Sequence, residues 1–472
     1  MNWKAIVLCL ALLCLPLPAP AATFEVGPGR PYGNIGDVPW ENMQAGDQVL
    51  IHWRSEPYKE KWVIAVQGTE QQPFTVTGVA NAGGALPVID GNGATTRSSL
   101  NFWNESRGVI KIGGANTPAV ETPTWIVVEN LEVRSGRTPY QFTGRSGVTS
   151  YTDNAASIYV ENGQKVTISN CIIHDSGNGL FVSAASRNVL IEGCWIYDNG
   201  IEGSIYHHNT YTAALGMVYQ DNYFGPLRSG CLGNNLKDRS AGLVVRYNWI
   251  DSGNRQLDLV DAEDSMDLVN APSYHQTLVY GNILIEPEEP GNSQIVHYGG
   301  DSGDTSIYRK GTLYFYNNTV VSTREGNTTL LRLSTNDETC DCRNNIVWTT
   351  ATGDHLAMLN AAGVLHLKNN WLKSGWVASH SGLTGTIIDD GGNLRGDSPG
   401  FVDAPQQDFH LRRQSPGINA GAGLPAAADP VNRQYVKHRR SRVRPADGRL
   451  DLGAFEFTAG LGVIPSLQLL LE

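Results

Sequence analysis

The sequence predicts an all-β fold, a single-stranded right-handed parallel β-helix with terminal caps, and three observations predict it. Glycine is frequent, at 52 of 472 residues, which points to many turns. Helical periodicity is nearly absent; short β-branched runs recur instead, each closed by Asn, Gly or Asp. One phrase also repeats along most of the chain: an apolar residue, two variable ones, Asn or Cys, one more residue, then an apolar one.

The first copies are Ile168-Ser-Asn-Cys171-Ile-Ile173, Ile191-Glu-Gly-Cys194-Trp-Ile196, Tyr219-Gln-Asp-Asn222-Tyr-Phe224 and Val245-Arg-Tyr-Asn248-Trp-Ile250. Val279-Tyr-Gly-Asn282-Ile-Leu284, Phe315-Tyr-Asn-Asn318-Thr-Val320, Cys342-Arg-Asn-Asn345-Ile-Val347 and Leu367-Lys-Asn-Asn370-Trp-Leu372 follow. Val128-Glu-Asn-Leu131-Glu-Val133 is a degenerate earlier copy. Central residues lie roughly 23 to 40 positions apart, one coil each, with longer gaps as loop insertions. Two apolar residues flank a bend, and the central Asn turns inward to bond the backbone and the Asn one coil above. Cys171 and Cys194 take that place in adjacent coils, about 4.8 Å apart, and read as stacked thiols in preference to a bridge. A β-sandwich would instead show hairpin turns every ~8–12 residues.

The ends differ from the middle. Lys4, the apolar run Ile6 to Leu17 and Ala19-Pro20-Ala21 have the layout of a signal peptide cleaved near Ala22. The run is shorter than the ~20 residues a bilayer needs, and Pro16, Pro18 and Pro20 interrupt this region. The division expected is 1–21 signal peptide, 22–120 N-terminal cap and first irregular coils, 121–396 regular β-helix, and 397–472 C-terminal coil and cap. The basic run Lys437 to Arg444 reads as a solvated loop of that cap. A secreted or periplasmic monomer is expected. Five cysteines outside the signal segment are an odd number, so this is no disulfide framework. The net charge of −11 argues against nucleic acid, but a local basic cleft can still take an anionic sugar.

The repeat phrase resembles the right-handed parallel β-helix superfamily of pectate-lyase-like exported polysaccharide enzymes. Ser415-Pro-Gly-Ile-Asn-Ala-Gly421 with Asp451-Leu-Gly-Ala-Phe-Glu456 is similar to the closing segment of many exported bacterial members. The resemblance covers nearly the whole chain after the signal segment and is specific for fold, not for reaction.

Two consecutive coils carry polar strands where Val and Ile are expected: Tyr206-His207-His208-Asn209-Thr210-Tyr211-Thr212 and Asn234-Asn235-Leu236-Lys237-Asp238-Arg239-Ser240. Tyr211 and Lys237 fall at the same offset from the corners Asn222 and Asn248, so they are expected to stack. Leu236 inward sends Lys237 and Arg239 outward, and Leu257 inward sends Asp258 outward. The next coil brings His297 and Tyr298. We therefore expect a column of Tyr211, Lys237 and Asp258, with Arg239 beside it and His208 at its edge.

Such a column suits β-elimination on a uronate. Arg239 matches a carboxylate; Lys237 or Tyr211 is the candidate base if its neighbours draw its pKa toward neutral; His208 or Tyr211 is the candidate acid. The resemblance implies Lys or Arg in these roles, often with Ca²⁺. Asn209, Asn235, Asp258, His297 and Tyr298 are the expected substrate contacts. Asp258, Asp261 and Glu263 form the candidate Ca²⁺ cluster, although their spacing fits no defined calcium loop. Asp258 and Asp261 also raise an inverting glycoside hydrolase, and a uronate epimerase is a further alternative on the same fold. A non-catalytic carbohydrate-binding solenoid is the remaining one, with Trp195, Tyr223 and Trp249 as stacking groups.

Overall fold

The computed structural model describes residues 21–288 and 291–458, so the expected signal segment up to residue 20 and the apolar tail from 459 lie outside the described residues. The chain is a right-handed parallel β-helix: three long sheets of thirteen, eleven and thirteen strands share its rungs, and the sequence-neighbouring strands of each sheet are parallel over nearly its whole length. The only α-helix among the described residues is the single turn Met266–Val269.

Inward apolar residues make one continuous core. In the first sheet, Val166, Ile168, Val189, Ile191, Met217 and Tyr219 are buried while the residues between them reach outward, the period-2 alternation of a strand. At the following bend the expected Asn ladder is present. The Nδ2 of Asn222 donates to Asn248 Oδ1 at 2.9 Å, Asn248 to Asn282 at 3.0 Å, and Asn282 to Asn318 at 3.0 Å. Asn318, Asn345, Asn370 and Asn393 continue it at 3.0–3.1 Å. Cys171 and Cys194 sit below it as free, buried thiols.

The C-terminal segment does more than cap the end. Outward residues of the second sheet, Trp249, Ile283, Ile285, Val321, Ile346 and Trp371, are apolar, and residues 397–457 fold back along them. Phe409 stacks on Trp249 at 5.7 Å, and His438 stacks on Tyr223 at 4.1 Å. The basic run is exposed along most of its length, as expected of a solvated segment, but it belongs to a hairpin and ends in a buried residue. It carries one strand of a hairpin, Arg433–Val436 with Arg440–Val443. Lys437 lies over the Trp249 ring, and Arg444 is buried against Glu456 at 2.6 Å. Trp249 and Tyr223 are packing residues under this segment. Among the described residues no helix is long and apolar enough to cross a membrane.

Candidate active site

The outward face of the third sheet carries the expected column. Tyr211 pairs with Lys237, Lys237 with Asp258, and Asp258 with His297. It extends further both ways than expected: Tyr159 and Phe181 lie below Tyr211, and Arg332 lies above His297. These side chains floor an open cleft of about 1300 Å³. Its walls are the loops at the strand ends, with Tyr206, His207 and His208 on the entering side and Ala262 to Asp267 on the leaving side.

At its centre Arg239 Nε donates to the Tyr211 phenol oxygen at 2.8 Å. Its Nη2 meets Asp301 Oδ1 at 2.9 Å and Glu263 Oε1 at 2.7 Å. Lys237 Nζ donates to Asp258 Oδ2 at 2.9 Å and to Asp301. Burial alone would push the Lys237 pKa down, but Asp258 and Asp301 outweigh it and raise it. The expectation of a lysine drawn toward neutral is thus corrected: Lys237 is a fixed ammonium. Burial holds the Tyr211 phenol pKa up, while Arg239 and Lys237 pull back toward phenolate.

His208 is buried and stacks on Tyr211 with centroids 5.7 Å apart. Its Nδ1 accepts from the Asn234 backbone N–H at 2.9 Å, so Nε2 carries the proton. Burial, and then the nearby Lys237, push its pKa down to about 3. It is a neutral donor at the column's edge.

Asp258 is an anchor. Its oxygens accept from Asn234 Nδ2 at 2.6 Å, from Lys237, and from His297 Nδ1 at 2.8 Å. Burial would raise its pKa, but Lys237, the His297 bond and Arg255 hold it well below the carboxylate range. With those lone pairs taken, neither a metal ion nor a hydrolytic role suits it. Asp261 Oδ1 accepts the backbone N–H of Asp301 at 2.7 Å, leaving Oδ2 as the unpaired oxygen, and Glu263 faces Arg239. The expected Ca²⁺ cluster of Asp258, Asp261 and Glu263 does not form: among the described residues no group of three His, Cys, Asp or Glu side chains is placed to hold a metal.

Three expected substrate contacts are also corrected. Asn209 and Asn235 face inward in a second amide ladder, with Asn199 Nδ2 donating to Asn209 at 3.0 Å and Asn209 to Asn235 at 2.8 Å. Tyr298 points into the core, since alternation sends its neighbour His297 outward. His297 lines the cleft but is held on both sides, by Asp258 and by Ser334 Oγ at 2.9 Å.

Register counting below Tyr211 and above His297 would have found Phe181, Tyr159 and Arg332. Asp301 gave no such signal. It sits in the loop after His297 and folds back across two rungs to reach Lys237.

Residues 85–271 match the family model described as the right-handed β-helix region. Among solved structures, a pectate lyase aligns with 93% of this chain and 97% of its own, at 13% identity and TM-score 0.48. An alginate lyase from a Paenibacillus strain aligns over 78% and 99%, at 11% and 0.45. A lacto-N-biosidase from Eubacterium ramulus aligns over 79% and 68%, at 13% and 0.41. No curated protein matches the sequence.

Proposed function

We propose that this chain is an exported polysaccharide lyase that cleaves a uronate-containing polymer by β-elimination in the cleft over the third sheet. One observation carries the reading: the Tyr211 oxygen, held by Arg239 Nε at 2.8 Å, lies one rung from the ammonium of Lys237 on the cleft floor. Elimination needs cations for the sugar carboxylate and a group that moves a proton. Arg239 and Lys237 supply the positive charge that stabilises the enolate-like intermediate. Tyr211, as phenolate, takes the proton beside the carboxylate and returns it to the departing oxygen on the same face. One C–H and one C–O bond break, one C=C bond forms, and the proton leaves with the new hydroxyl. Neutral His208, stacked on Tyr211, donates from Nε2 to orient the sugar.

The test is a polysaccharide panel read by ultraviolet absorbance of the unsaturated product, with Tyr211→Phe as control. Absorbance that Tyr211→Phe abolishes supports elimination; absorbance undiminished in that variant removes Tyr211 from the reaction.

One observation favours hydrolysis as a second reading. Glu263 and Asp301 are cleft-facing carboxylates that share Arg239 Nη2. Burial raises the Glu263 pKa despite Arg239, whereas Lys237 and Arg239 lower that of Asp301 against its burial. Carboxylates pushed apart in this way divide acid from base. New reducing ends without ultraviolet absorbance, lost in Glu263→Gln, would select this reading.

A further inference from the structure

The cations at the centre of the cleft each have carboxylate partners within the protein. Lys237 faces Asp258 and Asp301, and Arg239 faces Asp301 and Glu263. Two other guanidinium groups line the same cleft with no carboxylate partner among the described residues. The Arg107 guanidinium lies against the Tyr159 and Phe181 rings, at 4.9 and 4.5 Å from their centroids, and its buried Nε has no hydrogen-bond partner. The nearby acid, Glu161, is already paired with Lys111. Arg332 stands at the opposite end, on the rung above His297, with no ion pair or side-chain hydrogen bond among the described residues. Its neighbour Arg255 is committed to Gln294 and Asp258.

Five rung steps separate Phe181, beneath Arg107, from Arg332: Tyr211, Lys237, Asp258, His297 and Arg332. At ~4.8 Å per rung that is about 24 Å, longer than a disaccharide. Planar guanidinium groups bind carboxylates through paired N–H donors, and stacking on an aromatic ring preorganises one for this.

We propose that Arg107 and Arg332 are the specificity-determining residues of an extended binding site: they take carboxylates of one polyuronate chain that lies along the helix axis, on either side of the reacting bond. This rests on the proposed reaction for where cleavage falls, but the binding claim stands on the two unpaired cations. It implies action within a chain, since cations flank the centre at both ends.

The test measures equilibrium binding in the Tyr211→Phe background, with a polyuronate and the same polymer after its carboxyl groups are reduced to alcohols. Arg107→Gln and Arg332→Gln are each expected to weaken polyuronate binding roughly tenfold, the value of one charge-assisted contact, and the double variant more than either. Binding to the reduced polymer stays within twofold. Arg107→Lys and Arg332→Lys, which keep the charge, fall between parent and Gln variants. Equal losses on both polymers would mean a packing defect and overturn the proposal, as would unchanged polyuronate binding in either Gln variant or no binding by the parent. Cleavage by Tyr211→Phe would count against the reaction alone.

Discussion

Arg239 Nε reaches the Tyr211 phenol oxygen across one rung of the third sheet, at 2.8 Å. Burial disfavours the phenolate, while Arg239 and Lys237 favour it, and burial wins, so the phenol titrates above its usual value. Turnover that needs phenolate therefore rises with pH on an alkaline limb. Replacing Arg239 by Gln removes the counter-charge, moving that limb to higher pH and lowering the rate at neutral pH. Tyr211→Phe is expected to cost roughly 10²–10⁴ in kcat, the range of acid–base catalysis. A pH–rate profile flat through the alkaline range would refute the assignment.

Asp258 is predicted to matter for folding before it matters for chemistry. Asp258→Asn leaves Lys237 and the buried His297 short of one charge, and breaking a buried pair costs about 3–5 kcal/mol. Its folded pKa is depressed, with Lys237, the His297 bond and Arg255 outweighing burial. The stabilisation is complete above the unfolded carboxylate pKa near ~3.9 and is lost as pH falls through the folded value. Urea titrations should show the variant's deficit undiminished from pH 7 to 5 and shrinking only in strong acid. A deficit already fading near pH 6 would contradict this.

The acid sensitivity expected at milder pH has another source. His208 is buried and neutral, its pKa pushed down to about 3 by burial and then by Lys237. A histidine depressed in the fold contributes fully above its unfolded pKa of about 6.5 and loses that contribution as pH falls toward the folded value. The shift corresponds to a loss on the order of 5 kcal/mol once both states are in strong acid. Stability should fall steadily between pH 6.5 and about 3, and less steeply in His208→Gln. Identical slopes for the two proteins would show that His208 titrates normally.

Ser334 acts at a distance from the cleft floor. Its hydroxyl lies 2.9 Å from the Gly300 N–H and 2.9 Å from His297 Nε2, and so ties the loop carrying Asp301 to the Asp258–His297 pair. Ser334→Ala leaves the Gly300 amide without that acceptor, at about 1–3 kcal/mol. Faster hydrogen exchange at Gly300, with Tyr211 and Lys237 strands still protected, is the expected signature. Unchanged exchange at Gly300 would show that Asp261, which holds Asp301 N–H at 2.7 Å, suffices alone.

Register made much of this legible in the amino-acid order. The corner phrases place Tyr211, Lys237 and Asp258 over one another because each strand inherits its phase from the corner that follows it, and strand alternation then assigns the faces. Asn209 and Asn235 were misplaced because a polar residue beside a turn has two stable homes, solvent or an inward amide ladder, and their local sequence does not separate them. Asp301 was hidden for a different reason. It reaches the site through a glycine-flanked loop, and the fold of such a loop follows from contacts with Ser334 and Asp261 that lie far away in the chain. Of the two carboxylates that hold Lys237 charged, Asp258 follows from register and Asp301 is a tertiary fact.

The Asn ladder offers the sharpest test of the fold itself. Asn282 Oδ1 accepts from Asn248 N at 2.9 Å and from its Nδ2 at 3.0 Å, while Asn282 Nδ2 donates to the Val245 carbonyl at 2.9 Å and to Asn318. All these groups are buried, so Asn282→Leu, which keeps the same heavy-atom branching, removes the amide without opening a void and strands donors and acceptors on the coils either side. The cost of each stranded group is about 1–3 kcal/mol, and the ladder's members polarise one another. Loss of at least ~3 kcal/mol is expected, with amide exchange accelerated most near Asn248 and Asn318. Asn345→Leu should behave alike, because its Nδ2 donates to Asn370 at 3.0 Å in the same way. By contrast Cys194→Ala, at a corner whose thiol bonds only at 3.4 and 3.6 Å to carbonyls, should cost no more than a small buried cavity. Equal penalties at Asn282 and Cys194 would show that corner packing, not the amide ladder, holds the coils in register.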